Sequence, residues 1–176
     1  ARNILLDQWN RLASYRSAVA VRICEASGPE AELDLLVIEH LPKNVGIVVP
    51  KPVAAASITR LPTDRSVWLM AEQSGIASYS SALCNAASVN GFIMGLKDMC
   101  ETLGVAVDPN DLAYRYECSA VIDAAHRLSK PVFAGVLLGD NEAILKGFEE
   151  ASNFGFDGVS LISTRHLALL GKANDR

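Results

Sequence analysis

The stretch VNGFIMGLKDMC, residues 89–100, is apolar for most of its length and then closes on Lys97 and Asp98. A run carrying Val, Phe, Ile and Met on both alternating faces reads as a strand of a covered parallel sheet, and its terminal charges mark the point where the chain leaves the core. The stretch SVWLMAEQSG, residues 66–75, repeats the pattern with Glu72 in the charged place. If these two strands are parallel neighbours, both carboxylates leave the sheet at one edge. The fold therefore turns on whether the rest of the chain alternates strand and helix.

Further strand candidates are SAVAVRIC (17–24), VGIVVP (45–50), PVFAGVLL (131–138) and DGVSLIS (157–163), which with 66–72 and 89–95 make six. Between them the period changes. Tyr114, Cys118, Val121, Ile122, Ala125 and Leu128 fall on one helical stripe. Asp108, with Pro109 in the first turn, is the expected cap of that helix. Asp140 likewise caps a helix bearing Ile144, Leu145, Phe148 and Ala151, which Gly155 ends. Shorter helices are expected at 29–40, 54–61 and 77–87, one at 2–12 before the first strand, and one near 165–170 after the last. This alternation predicts an α/β fold with a parallel sheet and right-handed crossovers, as an open doubly wound sheet or a barrel. Six strands is two short of a (β/α)8 barrel. No linker, low-complexity tract or internal repeat divides residues 1–176, so one domain is expected.

The 176 residues are half apolar and carry a formal charge of −4, enough for a buried core and against an electrostatic nucleic-acid binder. No apolar run is long enough to cross a bilayer and no signal-peptide pattern opens the chain, so a soluble cytoplasmic protein with no membrane partner is expected. Cys24, Cys84, Cys100 and Cys118 are far apart, with no zinc-type spacing, and read as reduced packing residues. GxGxxG, Walker and GxSxG patterns are absent. His40 reads as a solvated loop residue and His126 as a helix-end residue, His166 is the one histidine near the expected rim, and Trp68 reads as packing.

In α/β folds functional groups gather at the carboxyl edge of the sheet. Arg22, Lys51, Glu72 and Asp98 all close strand candidates there. Two carboxylates without a nearby histidine or cysteine suit a hard cation such as Mg2+, which leaves positions for water and substrate oxygens. A cation so held chelates an α-keto acid or acyl carbonyl, and Arg22 can clamp a substrate carboxylate. The set reads as a lyase or aldolase of small carboxylated substrates.

The order of VRI (21–23), VVPK (48–51), AEQSG (71–75), GLKDMCETLG (95–104), GFDG (155–158) and LIST (161–164) resembles the HpcH/HpaI aldolase and citrate lyase β-subunit (CitE-like) superfamily, nearer its acyl-CoA branch. The resemblance implies a TIM-type (β/α)8 barrel, here incomplete at about six β/α units with the first two strands absent, and hence a chain expected to be part of a longer polypeptide. It implies Mg2+ on Glu72 and Asp98, a catalytic and substrate-binding Arg22, and substrate contacts from Lys51 and from backbone around Gly95. The implied activity is cleavage of a citryl-, malyl- or citramalyl-CoA type thioester. A homotrimer or larger homo-oligomer is implied as well. Cys24 stands where the family usually has Asn, Gln73 where it has Thr, and Ser163-Thr164 where it has His-Pro. These departures keep two alternatives open: a class II pyruvate-type aldolase acting on keto acids without CoA, and a non-catalytic degenerate barrel subunit.

Overall fold

The computed structural model describes residues 18–25, 28–52, 61–62, 64–86 and 88–174. Its strands are β1 (Ala20–Arg22), β2 (Gly46–Pro50), β3 (Val67–Ala71), β4 (Val89–Met94), β5 (Val132–Val136) and β6 (Gly158–Ser160). Its helices are α1 (Pro29–Glu39), α2 (Ser80–Cys84), α3 (Leu96–Leu103), α4 (Leu112–His126), α5 (Asn141–Phe154) and α6 (Thr164–Asn174), with a 3-10 turn at Ile76–Ser78. All six expected strands form, each shorter than its apolar run. The expected helix at 2–12 and nearly all of the one at 54–61 lie outside the described residues. No helix among the described residues is long and apolar enough to cross a membrane.

Every strand pair is parallel and the strands lie in chain order, β1-β2-β3-β4-β5-β6. That order decides between the two architectures left open by the sequence. A doubly wound sheet reverses direction at a switch point, whereas a barrel adds each strand on the same side of the last. The chain is therefore singly wound, a curled six-stranded arc of the TIM-barrel type.

The two faces of the arc differ. Ile47, Val49, Val67, Leu69, Ala71, Phe92, Met94 and Val132 are fully or almost fully buried and make the core with Ile38, Leu83, Met99, Cys118 and Val121 from the helices. The register places Arg22, Val48, Trp68, Gly91 and Phe133 on the opposite, concave face. There the Trp68 and Phe133 rings stack with centroids 5.0 Å apart. They reach each other over Gly91, where a Cβ would stand 2.5 Å from the Trp68 ring. A glycine between two bulky neighbours gives the layered filling of a barrel interior. A bulge sets this layer: the register slips between Val67 and Trp68, and the Asn90 carboxamide oxygen accepts the Val67 N–H at 3.0 Å.

The α3 helix was not expected from the sequence; it is short and capped by Gly104 in the left-handed region at φ 71. The start of α4 also differs. Asp111 caps it, accepting from Ala113 and Tyr114 N–H, while Asp108 accepts from Asn110 N–H in the preceding turn. An aspartate two residues from a free N–H makes an Asx turn as readily as a cap, so DPND holds two local solutions. Of the cysteines, Cys24 is exposed and the other three are buried.

The amino edge of the sheet is fastened by side chains that bind backbone. Arg65, only 4% exposed, donates to the carbonyls of Ile38, Leu41, Pro42 and Val45 at 2.6 to 3.1 Å. Lys130 Nζ donates to the Cys84 and Ala86 carbonyls. The Asp157 carboxylate accepts from Val132 N–H at 2.7 Å and lies 2.8 Å from His126 Nε2. Each of these residues closes the loop entering a strand. Arg65→Met leaves four carbonyls without their donor, three of them in buried hydrogen bonds, and is expected to cost about 3 kcal/mol or more in urea unfolding, with Arg65→Lys recovering only part.

Candidate metal centre

The opposite, carboxyl edge gathers the residues expected there. Glu72 follows β3, Gly95 follows β4, and Asp98 lies in the first turn of α3, where a carboxylate faces the positive end of the helix dipole. Arg22 ends β1 and reaches across β2, placing its guanidinium nitrogen 3.7 Å from a Glu72 oxygen. Arg22 is more than half exposed, Glu72 is fully buried, and the pair sits at the boundary between core and solvent. Lys51 follows β2 with φ 45, a left-handed conformation that few non-glycine residues hold.

Glu72 is the centre of this arrangement. Burial pushes its pKa up, the Arg22 charge lowers it, and the nearby Asp98 charge raises it again. The Asp98 carboxyl and the Lys51 N–H lie close enough to shift it, yet among the described residues neither Glu72 oxygen has a hydrogen-bond partner of ordinary length and angle. A buried carboxylate without a donor is costly in a protein interior, and such groups are normally paired or bound to a cation. The Glu72–Asp98 pair therefore fits a hard divalent cation on an observation of the structure itself. Among the described residues no set of three His, Cys, Asp or Glu side chains surrounds such a point. An ion on Glu72 and Asp98 would take its remaining ligands from water or substrate oxygens, the usual habit of Mg2+.

Gly95 itself contributes through its lack of a side chain. Its own N–H is not free for a substrate, because it donates to the Ala71 carbonyl at 3.0 Å and continues the β3–β4 ladder. What Gly95 supplies is space: a Cβ there would lie 2.5 Å from Glu72 Cβ and 3.1 Å from Glu72 Oε2. Open amides near that point belong to the first turn of α3, whose N–H groups have no partner within the helix. His166, near the start of α6, is buried with Nδ1 unpartnered, while its Nε2 accepts from Arg165 Nε at 3.1 Å.

Fold and rim together describe a singly wound α/β barrel-type domain with a paired-carboxylate site at its carboxyl edge. No protein-family model and no curated protein sequence matches the chain. Solved structures do. The citrate lyase beta subunit of M. tuberculosis complexed with oxaloacetate and magnesium superposes with a TM-score of 0.77 at 22% identity, over 89% of this chain and 73% of that one. Protein CitE from Mycobacterium tuberculosis in complex with magnesium, acetoacetate and coenzyme A gives 0.82 at 23% identity, over 98% and 65%. RipC from Yersinia pestis gives 0.75 at 20% identity, over 89% and 79%. This chain thus shares their fold.

The buried Glu72 carboxylate makes a signed prediction for metal-free protein. An acid whose folded pKa is raised holds its proton longer in the folded state, so stability falls as pH rises from the ordinary glutamate value near 4.3 through the raised one. Glu72→Met is expected to flatten that dependence and to stabilise the metal-free protein by roughly 1 to 3 kcal/mol at neutral pH, read by urea unfolding across the pH range.

Proposed function

We propose that the chain belongs to the HpcH/HpaI aldolase and citrate lyase β-subunit superfamily. Its proposed reaction is Mg2+-dependent carbon–carbon cleavage of a 3-hydroxy-acyl-CoA thioester of the citryl-, malyl- or citramalyl-CoA type. The observation that carries this reading is the fully buried, donor-less Glu72 beside Asp98 and Arg22 at the carboxyl edge. Its support from comparison is that proteins of the same fold have been solved with magnesium together with oxaloacetate, acetoacetate, pyruvate or coenzyme A.

Glu72 and Asp98 hold the ion, which supplies Lewis-acid stabilisation of the oxygens of a bound keto acid. Arg22, exposed on the solvent side of Glu72, pairs with a substrate carboxylate through its planar fork. Lys51, on the same rim, contributes positive charge toward the thioester portion. In the cleavage direction a general base, to which no residue is assigned here, takes the proton of the 3-hydroxyl, and its carbon becomes the keto-acid carbonyl. The electrons of the C2–C3 bond pass to the thioester as an enolate, which then takes a proton at C2. Glycine at 95 keeps the Glu72 carboxylate free of steric displacement throughout.

Glu72→Ala and Asp98→Ala are each expected to lower Mg2+-dependent cleavage by more than about 100-fold, since loss of an outer partner alone reaches that range. Arg22→Lys should raise KM for the carboxylated substrate more than it lowers kcat, because the bidentate contact is lost while the charge remains. The assay runs malyl-, citramalyl- and citryl-CoA beside the corresponding free acids. Turnover of free acids alone assigns the chain to a pyruvate-type aldolase without CoA, and wild-type rates in Glu72→Ala overturn the metal assignment.

A further inference from the structure

The loop that leaves Glu72 is fastened at two points by helices that contribute no group to the rim beyond Asp98. The first point is α3. Ser74 N–H donates to Thr102 Oγ1 at 2.8 Å, and the Thr102 hydroxyl spends its own proton on the Met99 carbonyl at 2.9 Å, leaving a lone pair for Ser74. Thr102 stands four residues after Asp98, one turn along the same face of the helix. The second point is α4. Glu117, only 5% exposed, spreads its two carboxylate oxygens over Gly75 N–H at 2.7 Å and Ala77 N–H at 2.8 Å. Between these clamps Gly75 takes φ 80, the left-handed turn that redirects the chain into the 3-10 segment.

Glu72 and Asp98 carry like charge and repel each other at close range. A cation overcomes that repulsion only if the two carboxylates are held near their ligating separation beforehand, for otherwise part of its binding energy goes into gathering them. Glu72 lies at a strand end and Asp98 on a helix, so the link between them must join those two elements. The Ser74–Thr102 hydrogen bond does so two residues from one carboxylate and four from the other. Resting on the reading of Glu72 and Asp98 as a shared cation site, we propose that Thr102 and Glu117 are positioning residues of that site. Thr102 sets the distance between the two carboxylates, and Glu117 fixes the path of the loop between them. Neither touches the ion.

The test is Mg2+ titration by calorimetry, without substrate, into wild-type, Thr102→Val, Thr102→Ser and Glu117→Gln proteins, with thermal unfolding of each in metal-free buffer. Thr102 is exposed and valine matches its shape, so Thr102→Val is expected to fold with Tm close to wild type and to bind Mg2+ about tenfold more weakly. Thr102→Ser keeps the acceptor and is expected to restore wild-type affinity. Glu117→Gln turns one acceptor into a donor facing a backbone N–H and is expected to weaken Mg2+ by a similar factor. Should it fail to fold, the two Thr102 variants decide alone. Wild-type Mg2+ affinity in Thr102→Val, or weakened affinity that serine does not rescue, overturns the positioning role while leaving the proposed function standing. Absence of Mg2+ binding in the wild-type protein removes both.

Discussion

A carboxylate taken wholly out of water needs either a donor for each oxygen or an opposite charge within a few ångströms. Among the described residues Glu72 has no donor, and the Arg22 guanidinium stands 3.7 Å away with more than half its own surface in solvent. The surroundings of Glu72 follow from tolerating that condition. Gly95 withdraws its Cβ so that the carboxyl group fits. Lys51 adopts a left-handed backbone beside the rim, and Asp98 adds a second negative charge rather than relieving the first. Backbone outliers and unrelieved charge of this kind concentrate where a binding step compensates them.

The scaffold that bears this cost is ordinary by comparison. Helix-facing side chains of the strands pack into one continuous core, and the concave face is filled by a stacked Trp68–Phe133 pair made possible by Gly91. Parallel strands in chain order bring every strand end to the same rim, so residues far apart in sequence come near one another there. Arg22 and Glu72 meet because β1 and β3 are separated by one strand, a distance an arginine can span.

How much of this was legible beforehand depends on how local each signal is. Six strands could be read because a covered parallel strand is a continuous apolar run, and the caps at Asp140 and Gly155 because they act within a few residues. Strand order is not written in any one segment, so periodicity alone left barrel and open sheet undivided, and only the family resemblance pointed to the barrel that the pairing shows. The α3 helix escaped because Lys97 and Asp98 read as the charges that close a strand, although with Met99, Cys100, Glu101 and Leu103 they lie in an amphipathic helix of about two turns. The loss of the Gly95 amide to Ala71 and the burial of Glu72 are properties of pairing. Glu117 carried a faint sign: it interrupts the stripe of Tyr114, Cys118 and Val121 with a charge, and a charge on a core-facing stripe calls for a buried partner.

The clamps made by Arg65, Lys130 and Asp157 all lie at the end of the sheet away from the rim. Anchorage and chemistry thus occupy opposite poles of the domain. Substitutions at the chemical pole, such as those that leave Cys24, Gln73 and Ser163 where the resembling family carries other residues, leave the fastenings of the scaffold untouched. Such a division gives a lineage mutational freedom: specificity at one pole can drift across generations while foldability is inherited unchanged at the other.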